Sequence, residues 1–209
     1  MTDTTRDKAN TDAPTPAASV GVVVLAAGFS RRFGTVKLGA TLSNGNTVFG
    51  QTLHHISQAS NNILIVTRTE LKDLLLRNGA PSQSLLICPD AEQGMGHTLA
   101  CGIRAIQGWD ACLVCLGDMP FIEPQTYRQL LTALTRRNIV VPEYAGQRGN
   151  PVGFGAHWFN QLLHPEGDNG GRELLRANPA FVDAVVVADP AVLQDIDTPQ
   201  DLERYQSPD

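Results

Sequence analysis

Apolar residues along this chain fall into two rhythms. Short unbroken runs at Val20 to Leu25, Asn62 to Thr67, Ser84 to Cys88, Ala111 to Leu116, Asn138 to Val141 and Val182 to Ala188 are rich in valine, leucine and isoleucine. Runs of that length and content read as strands buried on both faces, as in parallel sheets. Between them, apolar residues recur at three to four positions. Leu53, Ile56 and Ala59 place a helix from Gly50 to about Ser60, with the neighbours His54 and His55 on different faces. A second helix, Leu71 to Arg77, stops at Asn78-Gly79. A third runs from the glycine-rich stretch Glu92 to Leu99 on to Ile106. A fourth spans Ile122 to Arg137, with Glu123-Pro124 in its first turn, and a fifth Ala156 to Leu163. Asn44-Gly45-Asn46 makes Leu38 to Phe49 a small hairpin, and Tyr144 to Phe154 reads as a hairpin over the sheet's open end. Gly167 to Arg172 is a flexible loop before another short helix. Thr198 caps the last helix, with Pro199 at its first position and Asp201 three residues after the cap. Strands alternating with helices predict an α/β fold with a largely parallel sheet.

Met1 to about Ala17 offers almost nothing to bury, so residues 1–17 are expected to be a disordered tail and 18–209 one domain. The net charge of −5 argues against general nucleic-acid binding. No apolar run reaches the length of a membrane span, and no secretory h-region opens the chain. With only Cys88, Cys101, Cys112 and Cys115, a disulfide framework is not implied, and a reducing cytoplasm is the simplest setting. Cys112 and Cys115 have the spacing of a metal or redox pair. On a strand, however, residues three apart face opposite sides, which makes them core residues.

The chemistry concentrates in Val20 to Lys37. The first strand passes into Ala26-Ala27-Gly28, small residues that let a ligand approach the backbone, and then into a loop carrying Arg31, Arg32 and Lys37. Cations and free N–H groups at a strand end suit phosphate. The spacing fits neither a Walker loop, since Thr35-Val36-Lys37 follows Gly34, nor a dinucleotide fingerprint, since the middle glycine is missing. Asp118 directly follows the strand Ala111 to Leu116, at the ligand-binding rim. Asp197 precedes the last helix, where an acid also complements the helix dipole. Brought together, the two carboxylates would suit Mg²⁺, which takes one or two carboxylates plus substrate phosphates. Gly94 and Gly96, at the entry of the third helix, expose N–H groups to an anion or a ribose.

The pieces LAAGFSRRFGTVK, PDAEQGMGHTLACGI, GDMP, GQRGNPV, GDNGGR and DIDTPQDL, in that order, cover nearly all the chain past the tail. Together they resemble the molybdenum cofactor cytidylyltransferase branch of the nucleotidyltransferases. The resemblance implies a single Rossmann-like three-layer domain that joins CMP from CTP to a phosphorylated molybdopterin-type acceptor, with Mg²⁺ and release of pyrophosphate. Leu25, Ala26, Ala27 and Gly28 would cradle the nucleotide, with Arg31 beside them. Arg32 and Lys37 would neutralise the triphosphate, and Asp90, Gly94 and Gly96 would border the base or ribose. Asp118, with Asp197, would hold the metal. Arg148, Asn150, Asp168 and Arg172 would face the acceptor. Guanosine-attaching relatives carry glycine where Ala27 stands, which points to CTP in preference to GTP. Many relatives have histidine at Asn150 and serine at Thr98. Competing readings are a cytidylyltransferase for a sugar or isoprenoid phosphate, a guanylyltransferase of the same family, and a chaperone delivering cofactor to a molybdoenzyme partner.

Overall fold

The computed structural model describes residues 19–164 and 170–206. The expected tail and Asp168 lie outside the described residues. Among the described residues, eight strands form one sheet: β1 (Val20–Ala26), β2 (Ile63–Thr67), β3 (Leu85–Ile87), β4 (Ala111–Leu116), β5 (Ile139–Tyr144), β6 (Gln147–Arg148), β7 (Val152–Gly155) and β8 (Val182–Val186). Their order is β3-β2-β1-β4-β7-β5-β6, and β8 pairs with β5. The pairings β1–β2, β1–β4, β2–β3 and β5–β8 are parallel, whereas β4–β7, β5–β7 and β5–β6 are antiparallel. The chain leaves β1 toward β2 and β3 and returns on its other side as β4. The gap beyond the C-terminal ends of β1 and β4 is therefore a topological switch point, where open α/β sheets bind ligands.

Alternation along the central strands builds two core layers. Val22, Val24 and Ala26 face the side covered by α1 (Val48–Ser57), α2 (Lys72–Arg77) and α4 (Pro124–Ala133), through Phe49, Ile56, Leu75, Tyr127 and Leu130. Val23, Leu25 and Ala27 face the other side, covered by α3 (Met95–Ala105), α5 (Phe159–Leu162) and α6 (Gly170–Ala177). The last helix is α7 (Pro199–Gln206). The result is the three-layer architecture expected. Gly102 allows α3 to lie close to the sheet, since a Cβ there would come within 2.9 Å of Val23 and Val66.

The same alternation decides the cysteines. Cys112 packs in one layer and Cys115 in the other, both buried, and burial pushes both thiols far up from their ordinary pKa. Cys112→Ala is expected to leave turnover within a few-fold of wild type. A large loss in a steady-state assay would overturn the core assignment.

Several boundaries differ from expectation. Helix α1 starts at Val48, two residues early, because the Thr47 side chain accepts the Gly50 N–H at 3.1 Å and caps it. The hairpin expected over Leu38 to Phe49 reduces to a single antiparallel bridge, Thr41 with Thr47, around the turn at Gly45. Helix α4 is shorter than Ile122 to Arg137. Glu123 is extended before Pro124, as the proline ring requires, and Leu134 is extended after Ala133. Of the expected Gly167 to Arg172 loop, residues 167–169 lie outside the described residues, and Gly170 to Arg172 are helical. Leu174 and Leu175 pack on the lower core layer and draw the glycines into α6. The late hairpin is real: β5 turns through Ala145 and Gly146, both at positive φ, into β6. Behind it, Gly155 fits directly against the backbone at Arg136, and a Cβ there would lie 2.4 Å from backbone atoms. Gly155→Ala should cost about 1–3 kcal/mol of stability, as overpacking against a backbone does. Urea denaturation measures it; an unchanged midpoint would mean that the two segments separate freely.

Candidate active site

Strand β1 ends at Ala26 with its neighbours already locked. Thr67 Oγ1, fully buried at the end of β2, donates to the Ala26 carbonyl at 2.8 Å. The Gly117 N–H, just past β4, donates to the Leu25 carbonyl at 3.0 Å. Leu25, Ala26 and Ala27 are buried, whereas no atom of the described residues lies within 4 Å of a Cβ built on Gly28. A rigid floor thus opens into free space at Gly28. The loop then curls back on itself. Ser30 sits at φ 51°, its carbonyl accepts the Phe33 N–H at 3.0 Å, and its hydroxyl oxygen accepts the Lys37 N–H at 3.1 Å. Gly34, at φ 81°, supplies the left-handed turn that lets Lys37 return.

That return brings Lys37 to the carboxylates. Its Nζ lies 2.6 Å from Asp118 Oδ2 and 2.9 Å from Asp197 Oδ1. Asp197 Oδ2 is held in turn by Arg32 Nη2 at 2.7 Å. Asp118 comes from the end of β4. Asp197 arrives from far along the chain because the Ile196 N–H donates to the Asp118 carbonyl at 3.1 Å. Thr198 and Asp201 fix the segment that follows: Asp201 Oδ2 accepts the Thr198 N–H at 2.8 Å, and Thr198 Oγ1 accepts the Asp201 N–H at 3.2 Å. The expected cap is therefore present, and it also sets the angle at which Asp197 enters the site.

Electrostatics at this cluster are tight. Burial alone would lower the Lys37 pKa, but Asp118 and Asp197 outweigh it and hold the ammonium above its ordinary value. Burial pushes the Asp118 carboxyl up, with the charge of nearby Asp195 adding to it and Lys37 pulling the other way. Asp118 Oδ1 is buried and has no hydrogen-bond partner among the described residues. A buried carboxylate oxygen without a partner is costly unless something else satisfies it.

The remaining predicted residues surround this centre at different distances. Arg31 is exposed and turns its guanidinium toward the Phe29 ring, 5.8 Å from its centroid, outside the Lys37 cluster. Asp90 is exposed before α3 and accepts from Gln93 Nε2 at 3.4 Å. Gly94 takes φ 112° at the entry of α3, and Gly96 is buried in its first turn. Asp90 also lines a cavity of about 400 Å³ with Cys88, His97, Cys101, Arg104 and His164, which reaches neither Lys37 nor Asp118. Arg148 is exposed on β6. The Asn150 N–H donates to the Val192 carbonyl at 2.9 Å, tying that hairpin to the segment leading to Asp197. Arg172 is exposed in the first turn of α6, beside Gly171, which sits over Phe154.

Sequence reasoning placed Thr67-Arg68 at a strand end where a base or sugar is touched, with a helix-starting turn as the alternative for Arg68. It missed Ser30, Asp195, the Thr67 contact with Ala26, and the pairing of Phe29 with Arg68, whose guanidinium stacks 4.4 Å from the ring centroid. Ser30 lay inside the quoted loop, and Asp195 alternates with Asp197 in the same acidic stretch. Phe29 carried no signal, and the strand-end signal at Thr67 did not reach its bond to Ala26, because both contacts depend on which strand ends become neighbours.

Known proteins share this fold. Residues 22–184 match the MobA-like NTP transferase domain. The purine catabolism protein PucB of Bacillus subtilis (strain 168) is 33% identical over 192 residues, covering 87% of this chain and 93% of its own. The crystal structure of Rv0371c from Mycobacterium tuberculosis H37Rv has a TM-score of 0.81 at 27% identity, over 92% of this chain and 99% of that one. A manganese complex of the same mycobacterial protein has a TM-score of 0.77 at 24% identity, over 91% and 98%. A family match spanning both the β1 loop and Asp118, joined to a relative aligned over nearly its full length, makes this chain a nucleotidyltransferase of the MobA-like NTP transferase family.

Proposed function

We propose that this enzyme transfers CMP from CTP to a phosphorylated, molybdopterin-type acceptor and releases pyrophosphate, with Mg²⁺ at Asp118 and Asp197. The observation that carries this reading is the buried Asp118 Oδ1, without a hydrogen-bond partner among the described residues, beside a Lys37 that bridges both carboxylates at the switch point. Two carboxylates with one oxygen unsatisfied fit a cation that completes its shell with water and phosphate oxygens. Among the described residues, no group of three or more such ligands exists that would hold a metal without substrate. The manganese complex of the mycobacterial relative supports a divalent ion in this fold. When bound, the ion supplies positive charge between the phosphates.

The chain's own residues do the rest. The floor at Leu25 to Gly28 positions the nucleotide against backbone groups held by Thr67 and Gly117. Phe29 and Arg68, which with Cys88, Pro89 and Ala91 line a small cavity of about 120 Å³, border the nucleoside side. Lys37 and Arg32 neutralise the triphosphate. Arg148, Asn150 and Arg172 receive the acceptor. Its terminal phosphate oxygen attacks the α-phosphorus, the bond to the bridging oxygen breaks, and that oxygen leaves on pyrophosphate. A phosphate nucleophile is already anionic near neutral pH, so no general base is required. Bringing two anions together is the difficulty, which positioning and fixed charge address.

The base assignment rests on Ala27 and the acceptor on the resemblance of the hairpin and the α6 stretch. One assay tests both: protein, Mg²⁺, molybdopterin-type acceptor and either CTP or GTP, with pyrophosphate measured. Release with CTP and this acceptor is expected. Release only with GTP corrects the base, release only with a sugar or isoprenoid phosphate corrects the acceptor, and nucleotide binding without release favours the chaperone reading.

A further inference from the structure

The groups that would meet the metal and the groups that would meet the triphosphate are spent on each other. Lys37 Nζ occupies the space between Asp118 Oδ2 and Asp197 Oδ1, at 2.6 and 2.9 Å, and Arg32 takes the second oxygen of Asp197 at 2.7 Å. Two cations thus cover two carboxylates through three direct contacts. A divalent ion ligated by those same oxygens would stand within contact distance of the ammonium. Two positive charges that close repel strongly in a half-buried site. A triphosphate meets the mirror problem, since each cation it needs is already paired. We infer that Lys37 is a resident stand-in for the divalent ion, so that loading the site is an exchange of partners. The metal takes the carboxylates only as Lys37 and Arg32 pass to the phosphates. The inference rests on the reading of this site as one for a metal–triphosphate.

Three features set Lys37 apart from an ordinary surface ion pair. Its side chain is 11% exposed and that of Asp118 is 15% exposed, so the contact is little screened. Its backbone is pinned by Ser30, so the ammonium has a short and defined travel. Among the described residues, Asp118 Oδ1 is left without a partner while Lys37 sits on Oδ2, so the arrangement is incomplete with the stand-in present. Arg32, 74% exposed and paired with Asp197, contributes less to the block.

The consequence is a single substitution with opposite effects on the two ligands. Lys37→Met should bind Mn²⁺ in the absence of nucleotide at least about tenfold more tightly than wild type, a coupling of ordinary size. The free-Mn²⁺ electron paramagnetic resonance signal reads this directly. The same variant should bind CTP in EDTA at least about tenfold more weakly, read by calorimetry. Arg32→Met should shift Mn²⁺ binding by less than about threefold. Unchanged or weaker Mn²⁺ binding by Lys37→Met overturns the inference even if CTP binding falls, because Lys37 is then only a phosphate contact. A wild-type protein that binds CTP neither with nor without Mn²⁺ overturns the functional reading as well. A second measurement avoids the variant: in wild type labelled with ¹³C at lysine, the Lys37 Cε resonance should move little with Mg²⁺ alone and shift when CTP is added with it. A full shift with Mg²⁺ alone also overturns the exchange.

Discussion

Asp118→Ala is expected to lower kcat/KM for nucleotidyl transfer at least about a hundredfold, while the protein melts at the same or a higher temperature. The activity loss follows from the place of the residue. Asp118 stands at the end of β4, next to the loop that carries Lys37, with one oxygen on the ammonium and the other buried without a partner among the described residues. Removing one well-placed charge contact from a transfer of this kind costs about 3 kcal/mol, hence the hundredfold. The stability side separates a chemical role from a structural one. Breaking a buried ion pair usually destabilises because it strands a charge. Here the stranded charge would be Lys37, which keeps Asp197 at 2.9 Å. The deletion also removes a carboxylate that burial disfavours. Pyrophosphate release and thermal denaturation on one preparation check both halves. Near-wild-type turnover would take Asp118 out of the reaction, and a collapse of both readouts together would make it a structural residue.

The contrast between Asp118 and Asp197 shows where sequence reading stops. Asp118 was legible because one local fact suffices: an acid directly after an apolar strand of a parallel sheet sits at the rim. Asp197 was ambiguous because an acid before a capped helix has a local explanation in the helix dipole. What brings it beside Asp118 is a contact between residues 78 positions apart (196 − 118), the Ile196 N–H on the Asp118 carbonyl, which no window of sequence contains. Ser30 and the contact that Thr67 makes were missed for the same reason. Each acts on a backbone group whose position follows from strand pairing, Thr67 on Ala26 across β1 and β2.

Helix and strand identities were legible from periodicity, and the boundaries failed where side chains or tertiary packing override it. Thr47 moved one helix start by capping, the backbone before Pro124 trimmed another, and Leu174 and Leu175 pulled two glycines of a presumed loop into α6. The cysteine pair went the other way. Strict alternation on β4 placed Cys112 and Cys115 in opposite core layers, and no long-range information was needed.

Lys37→Ala should also cost at least about a hundredfold in turnover, but with a stability signature opposite to that of Asp118→Ala. In wild type the Lys37 pKa is raised on folding. A raised lysine contributes stability that is complete below its unfolded value and is lost as pH rises through the folded one, so the pair is intact across the neutral range. Removing the ammonium leaves Asp118 and Asp197 facing each other, with burial of Asp118 no longer opposed. The Asp118 carboxyl is then pushed further up. A carboxyl raised on folding favours the folded state below its unfolded value and loses that contribution as pH climbs through the folded one. The deficit of Lys37→Ala relative to wild type should therefore be largest near about pH 7 and shrink toward about pH 4, as the raised Asp118 carboxyl takes up its proton. Melting temperatures of the two proteins across that range provide the check. A deficit that stays constant with pH would mean that the carboxylates relax into solvent once Lys37 is gone. Asp118 would then lack the fixed position that the transfer chemistry demands of it.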